Sequence, residues 1–263
     1  MSKSLIDIIF TSEKRKCALL LLKDGPLKMD SLLSSMETKR QALLPQMKVL
    51  TDNHLIYHHG DEYELTVIGE MIVDKISPLL NTVSVFDTDI DYWGSHDIGF
   101  IPPHLLERVN ELGQGRVIKP SIADFYEVNT KIVETTMKSK SMRIISSFIH
   151  PDSFNKIEGF VASGVEITII ITRELYEKLR VEHYDEFKLL LENEKIRILL
   201  YPDKIGFIAF TQNAYCNFFR LLLKEGLYDN MLLFFCNPEA LEWGNEFFEF
   251  YLKDSTPINE IEE

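Results

Sequence analysis

Glycine-rich phosphate loops are missing from this sequence. No stretch fits the Walker loop or the dinucleotide fingerprint, and no serine sits in a nucleophile-elbow pattern. The H-x-K-x-x-x-x-D pattern of phospholipase-type catalysis is also absent. The chain therefore shows no recognisable catalytic machinery, and no cofactor is expected. Cysteine is scarce: Cys17, Cys216 and Cys236 are all there is, and none forms a C-x-x-C pair. That spacing argues against a zinc site and any other metal. Each cysteine lies in an apolar segment and reads as a buried small hydrophobe in a reducing compartment; a Cys216–Cys236 redox pair has no support from sequence. No apolar run approaches the roughly 20 residues that span a bilayer. The first residues, Met1 to Asp7, lack the basic flank and long apolar core of a secretion signal. The expectation is a soluble, cytoplasmic protein with no membrane partner.

A surplus of positive charge is missing too. The net charge is −13 over 263 residues, which at first argues against nucleic acid. The distribution of that charge points the other way. Between Lys14 and Lys48 eight Lys or Arg face only Asp24, Asp30 and Glu37, a local excess of five. Phosphate responds to the local field within about a Debye length, ~8 Å at physiological salt. Hydrophobic residues make up 45% of the chain, enough for a real core, so disorder is expected only at the ends.

The positive stretch has the outline of a winged helix-turn-helix. Thr11 or Ser12 can cap a helix that ends at Asp24-Gly25-Pro26. A short helix follows over Asp30 to Ser35. Thr38 is a suitable N-cap for a second helix. Leu43, Leu44, Met47 and Leu50 recur at helical spacing and should face the core. Pro45 requires either a helix starting near Gln41 or a kink. Leu55–His58 and Glu62–Leu65 alternate as two strands of a small wing around His59-Gly60-Asp61. Thr66 then opens a helix whose apolar stripe (Ile68, Met71, Ile72, Ile76) exceeds what this domain needs, so part of it is assigned to dimer contact.

Thr38, Lys39, Arg40, Gln41, Gln46 and Lys48 are the candidate DNA readers, with Lys28 and the wing residues His58 and His59 beside them. Arg and Lys can contact guanine O6 and N7, and Gln can bond adenine N6 and N7. A helix N-terminus suits a phosphate. The plain alternative is a solvated helix face.

After Pro102-Pro103 the pattern becomes α/β. Strands are expected at Met142–Phe148, Val165–Thr172, Ile196–Tyr201, Gly206–Thr211 and Met231–Cys236. Helices are expected at His104–Leu112, Ile122–Lys138, Asp152–Ala162, Arg173–Val181 with Glu182–Glu194, Asn217–Lys224 and Glu239–Leu252. Continuous apolar strands such as Ile167 to Ile171 suggest a mostly parallel sheet covered on both faces. The domain plan is a winged helix-turn-helix over 1–80, a linker or transition segment over 81–100, an α/β effector or sensor domain over 101–254 and an acidic tail over 255–263. Ligands of open parallel sheets sit beyond the strands' carboxyl ends, which singles out His150, Arg173 and Thr211. Helix capping and a surface arginine explain the same residues. His96-Asp97 beside Trp93 suggests an acid–base pair; a hydrogen-bonded corner is the simpler reading, since no nucleophile or metal spacing accompanies it.

Several segments carry a resemblance: Trp93-Gly94-Ser95-His96-Asp97-Ile98-Gly99-Phe100-Ile101-Pro102, then Leu105-Leu106-Glu107-Arg108. Further on come Gly226-Leu227-Tyr228-Asp229 and Ala240 through Phe248. In these the chain resembles winged-helix transcriptional regulators of methanogenic archaea with a methanogenesis-regulator (Fil-type) middle domain. The resemblance implies a regulator that binds double-stranded DNA through its N-terminal domain and senses a signal through the other. A homodimer with a small-molecule effector follows as the expectation. The competing expectation is an enzyme built on the α/β domain, with the winged helix as an accessory.

Overall fold

In a computed structural model, which describes residues 4–120, 129–150 and 152–261, the chain divides into two compact units, Met1–Leu80 and Asn81–Glu263. The first unit contains α1 (Leu5–Phe10), α2 (Glu13–Leu21), β1 (Leu27–Lys28), α3 (Met29–Ser35), α4 (Arg40–Asp52), β2 (Ile56–His59) and β3 (Glu62–Leu65). Helix α5 (Val67–Phe86) begins in it. The Ser12 hydroxyl accepts the Arg15 N–H and starts α2. Ala18, Leu19, Leu32, Leu43, Met47 and Leu50 interlock at near-zero exposure. A three-stranded sheet in the order β1-β3-β2 covers that core, with Leu55, Ile56, Tyr63 and Leu65 buried against it. Thr66 fastens the start of α5: its hydroxyl donates to the His54 carbonyl at 2.7 Å and accepts the Gly69 N–H at 2.9 Å.

The second unit holds α6 (Ile90–Ser95), α7 (Pro103–Leu106), β4 (Arg116–Ile118), α8 (Thr130–Thr136), β5 (Ser141–Ser146) and α9 (Ser153–Ala162). It continues with β6 (Glu166–Thr172), α10 (Arg173–Glu182), α11 (Tyr184–Leu191), β7 (Ile196–Tyr201), β8 (Phe207–Asn213), β9 (Asn217–Leu221), β10 (Leu232–Phe235), α12 (Pro238–Lys253) and β11 (Thr256–Pro257). Eight strands form one sheet in the order β11-β7-β6-β5-β8-β9-β10-β4. Alternate residues serve two separate cores. Ile169, Ile171 and Ile198 point to one face, packed with residues of α9, α10 and α11 such as Phe160, Leu175 and Phe187. Ile145, Ile170, Leu199, Phe210 and Phe219 point to the other, where α12 lays down Trp243, Phe247 and Tyr251. Two covered faces explain the uninterrupted apolar run Ile169, Ile170 and Ile171 in β6.

Several expectations are corrected. Among the described residues the sheet is mixed: only β5·β6 and β6·β7 run parallel, and the other pairings are antiparallel. The segment Asn217–Lys224, expected as a helix, is strand β9. Asn213 dictates this, because its side-chain oxygen accepts the N–H groups of Tyr215 and Cys216 and turns β8 tightly into β9. Residues 81–100, expected as a linker or transition segment, supply Val85, Tyr92, Trp93 and a fully buried His96 to the second unit. The tail does not fray at Asp254, since β11 pairs with β7 and Ile258 and Ile261 pack on the core. Cys216 and Cys236 form a disulfide rather than two free thiols, leaving Cys17 as the free cysteine. They lie one step beyond the Asn217↔Phe235 pair of β9 and β10, directly across from each other. Of the helix expected over Ile122–Lys138, residues 122–128 lie outside the described residues, and the described part is α8.

Candidate nucleic-acid interface

The chain reverses between α3 and α4 in four residues. Glu37 adopts a left-handed φ of 45° there, and Thr38 N–H donates to the Leu33 carbonyl at 3.1 Å. A non-glycine residue in that region costs about 1–2 kcal/mol. The hydrogen bonds that close α3 hold it. Lys39, in extended conformation, occupies the N-cap position of α4 and offers no side-chain hydrogen bond. Thr38 is therefore not the cap. The uncapped first turn presents N–H groups and the positive end of the helix dipole, a ready site for an anion.

Lys39, Arg40, Gln41 and Lys48 are exposed, and Lys28 is exposed on β1. Thr38 is half-buried beside a surface groove it shares with Cys17 and Met36. Gln46 turns inward: its side-chain oxygen accepts from the Arg15 guanidinium at 3.1 Å and from the Ser12 hydroxyl at 3.2 Å. It joins α4 to α2 and is not free to read a base. Pro45 lies in the second turn, and the helix runs through it to Asp52. Leu44, expected in the core, is 46% exposed. At about 100° per residue it falls outside the arc of Leu43, Met47 and Leu50, a signal available in the sequence. An exposed leucine beside Arg40 and Gln41 suits a thymine methyl group.

The wing is less inviting to phosphate. His58 stacks on Tyr63 with ring centroids 4.3 Å apart, and His59 lies 5.7 Å from Tyr57. Around them Asp61, Glu62 and Glu64 are all exposed. Burial holds the Tyr63 phenol above its ordinary range, and the charge of nearby Arg40 opposes this, so Arg40 stands close to β3. Residues 1–80 contain ten Lys or Arg against eleven Asp or Glu. The positive surface is thus one helix end and not the unit as a whole.

In the second unit, His150 and Thr211 line one cavity of about 130 Å³. Arg173 is not among its lining residues. It sits exposed in the first turn of α10, its guanidinium 5.7 Å from the centre of the Tyr176 ring, while Thr172 caps the helix. His96 does not pair with Asp97. Its Nε2 meets Asp229 Oδ2 at 3.0 Å, whereas Asp97 Oδ1 accepts the Gly99 N–H in a local turn. Among the described residues no cluster of His, Cys, Asp and Glu could hold a metal, and no helix is long and apolar enough to cross a membrane.

Two family models match the chain. One is the N-terminal domain of methanogenesis regulatory protein FilR1, over residues 3–84; the other is the middle domain of the same protein, over residues 125–254. A curated relative, methanogenesis regulatory protein FilR1 of Methanothrix harundinacea (strain 6Ac), is 23% identical over 261 residues. The match covers 97% of this chain but 58% of the relative, so the chain spans little more than half that protein's length. TrmBL2, described as an archaeal chromatin protein with a novel mode of DNA binding, superposes with a TM-score of 0.42 at 15% identity. That likeness covers 93% of this chain and 94% of TrmBL2. Nuc, a phospholipase D family member from Salmonella typhimurium, gives 0.41 at 14% identity, over 56% of this chain and 100% of Nuc. At such scores neither likeness fixes fold or function.

Proposed function

Because the chain belongs to the methanogenesis regulatory FilR1 family, we propose that it is a sequence-specific transcriptional regulator that binds double-stranded DNA through α4. One observation carries the reading: Lys39, Arg40 and Gln41 stand exposed on an uncapped helix N-terminus that a helix-turn-helix holds out to solvent. Recognition helices meet base edges with their N-terminal residues. The acidic remainder of the chain limits non-specific adhesion to DNA.

The regulator works as a homodimer in this reading. Two copies place their recognition helices about one DNA turn apart, ~34 Å, over an inverted repeat. Supporting this, Ile68, Met71 and Leu79 are each more than half exposed along α5. The second unit serves as a sensor in the cytoplasm and performs no catalysis. An effector shifts operator affinity only by its differential affinity for the two states of the protein.

The test is selection of genomic fragments by the purified protein, followed by footprinting and a salt titration. Protected inverted repeats, with affinity falling steeply as salt rises, are the expected result. A protein with no salt-sensitive preference for any fragment, with or without added metabolites, overturns the reading.

A further inference from the structure

The cavity holding His150 and Thr211 has an unbalanced wall. It lies on the sheet face of Ile144 and Thr211, under α9, with Arg220 entering from β9. His150 Nδ1 accepts the Asp152 N–H at 3.2 Å. The neutral ring therefore carries its proton on Nε2. That Nε2 is buried and has no hydrogen-bond partner among the described residues. On the wall of this cavity it is a donor left without an acceptor among the described residues. Arg220 donates to Asn230 Oδ1 and bonds the Tyr228 phenol, with the Asp229 carboxylate near enough to favour its charge; burial outweighs these and pulls its guanidinium below the usual arginine range. The Arg220 charge also helps to push the His150 imidazole down, after burial itself, which puts the two groups close together. Lys156, the third basic group on the wall, is turned toward Asp152 at 3.4 Å. Among the described residues no Asp or Glu lines the cavity.

A second cavity of about 100 Å³ adjoins it and shares Ile144, Ser146, Phe148, Ser153 and Ile157. Its remaining lining residues, Phe187 and Ile198 among them, are all apolar. The combination is a head site rich in donors next to a small oily chamber. A void of about 150 Å³ is enough for a benzene ring.

We infer that this paired cavity binds a small organic carboxylate, its anionic head on His150 Nε2–H and the Arg220 guanidinium and its short apolar body over Ile144. A carboxylate supplies the acceptor that His150 lacks and a charge opposite to that of Arg220. The apolar chamber distinguishes such an acid from a bare inorganic anion. Binding stands apart from the DNA reading; only its regulatory consequence rests on that reading.

The experiment is calorimetric titration of the full chain with benzoate and hexanoate, and with inorganic phosphate as a head without a body. At least one of the two acids should bind saturably at one per chain, and phosphate at least tenfold more weakly. His150→Ala should lose at least tenfold in affinity for that acid, and Arg220→Met more, with thermal melting of His150→Ala near that of the parent. Should Arg220→Met fail to fold, His150→Ala carries the test alone. Neither acid binding at concentrations up to about 10 mM, or His150→Ala binding as well as the parent, overturns the site. Phosphate binding as tightly as both acids overturns the apolar half of it. Footprinting with and without the acid separates the two readings. Calorimetric binding without any DNA preference removes the regulator and leaves the cavity standing; a footprint without calorimetric binding does the reverse.

Discussion

The Nε2 of His96 and the Oδ2 of Asp229 meet at 3.0 Å although 133 residues separate them in the chain. The ring is fully buried, and its Nδ1 faces the Tyr92 carbonyl at 2.7 Å. This contact ties α6 to the segment leading into β10, and Trp93 in turn donates to the Val85 carbonyl in the last turn of α5. Asp229→Ala should leave a buried ring nitrogen without its partner, at a cost of about 1–3 kcal/mol. Urea unfolding of the full chain measures it. A midpoint equal to the parent's would show the contact to be inert.

On α4, Arg40→Ala and Lys39→Ala should each weaken operator binding and leave the melting temperature within a degree or two. A base contact should cost about 1–3 kcal/mol and relax one operator position, whereas a phosphate contact should lower the salt slope by about one. Gln46→Ala should behave differently, because its partners are Arg15 and Ser12: it should loosen the fold by roughly 1 kcal/mol before it changes sequence preference. Competition gel shifts alongside thermal melts separate these outcomes.

Close approach holds several glycines, two of them inside helices: Gly69 in α5 and Gly244 in α12. A Cβ at Gly69 would overlap the Leu55 carbonyl, and one at Gly244 would overlap the Asn217 side chain. Asn217 cannot retreat easily, since it accepts from Gln212 at 2.9 Å and donates to the Ala240 carbonyl. Gly69→Ala and Gly244→Ala should each destabilise the protein by about 1–3 kcal/mol, in line with overpacked interiors. Chemical denaturation of each variant reads this directly, and a stabilised variant would contradict the packing described.

The Cys216–Cys236 bridge spans 20 residues of sequence. Loop-closure entropy assigns a link of that length a stabilisation of about 3 kcal/mol. Melting in reductant, or of Cys216→Ser, should therefore fall several degrees below the oxidised parent. Equal melting temperatures, with the bridge verified by mass spectrometry, would deny it a structural role.

His150 makes stability depend on pH. Burial, then the Arg220 charge, hold its imidazole below the ordinary histidine range. The folded protein thus binds this proton less readily than the unfolded chain. The stabilisation is complete above about pH 6.5 and drains away as pH falls through the lowered folded value. His150→Gln should flatten that part of the stability profile, measured by denaturation at a series of pH values. An unchanged slope would count against the placement of this half-buried ring beside Arg220.

Patterns that repeat locally were legible in the sequence. The expected strand Ile196–Tyr201 coincides with β7, and of the two candidate caps Thr11 and Ser12, it is Ser12 that caps α2. What eluded the sequence depends on contacts between distant segments. The partner of His96 lies far along the chain. The pairing of Cys216 with Cys236 requires the register of β9 on β10, and β9 itself depends on a turn set by one asparagine side chain. Near the α4 site, composition identified Lys39, Arg40 and Gln41 as polar and available. It could not tell Gln46 from Gln41, because only the packing of α2 against α4 turns one of them inward. Arg220 was hidden for a related reason: read as part of a helix, it had no place on a cavity wall.

Both borders of the eight-stranded sheet are very short: three residues in β4 at one side, two in β11 at the other, the latter ending in Pro257, which has no N–H to offer. Such borders give an incoming strand almost nothing to zip onto. Self-association of this chain through this sheet is thereby steered away from strand-by-strand extension and amyloid-like stacking.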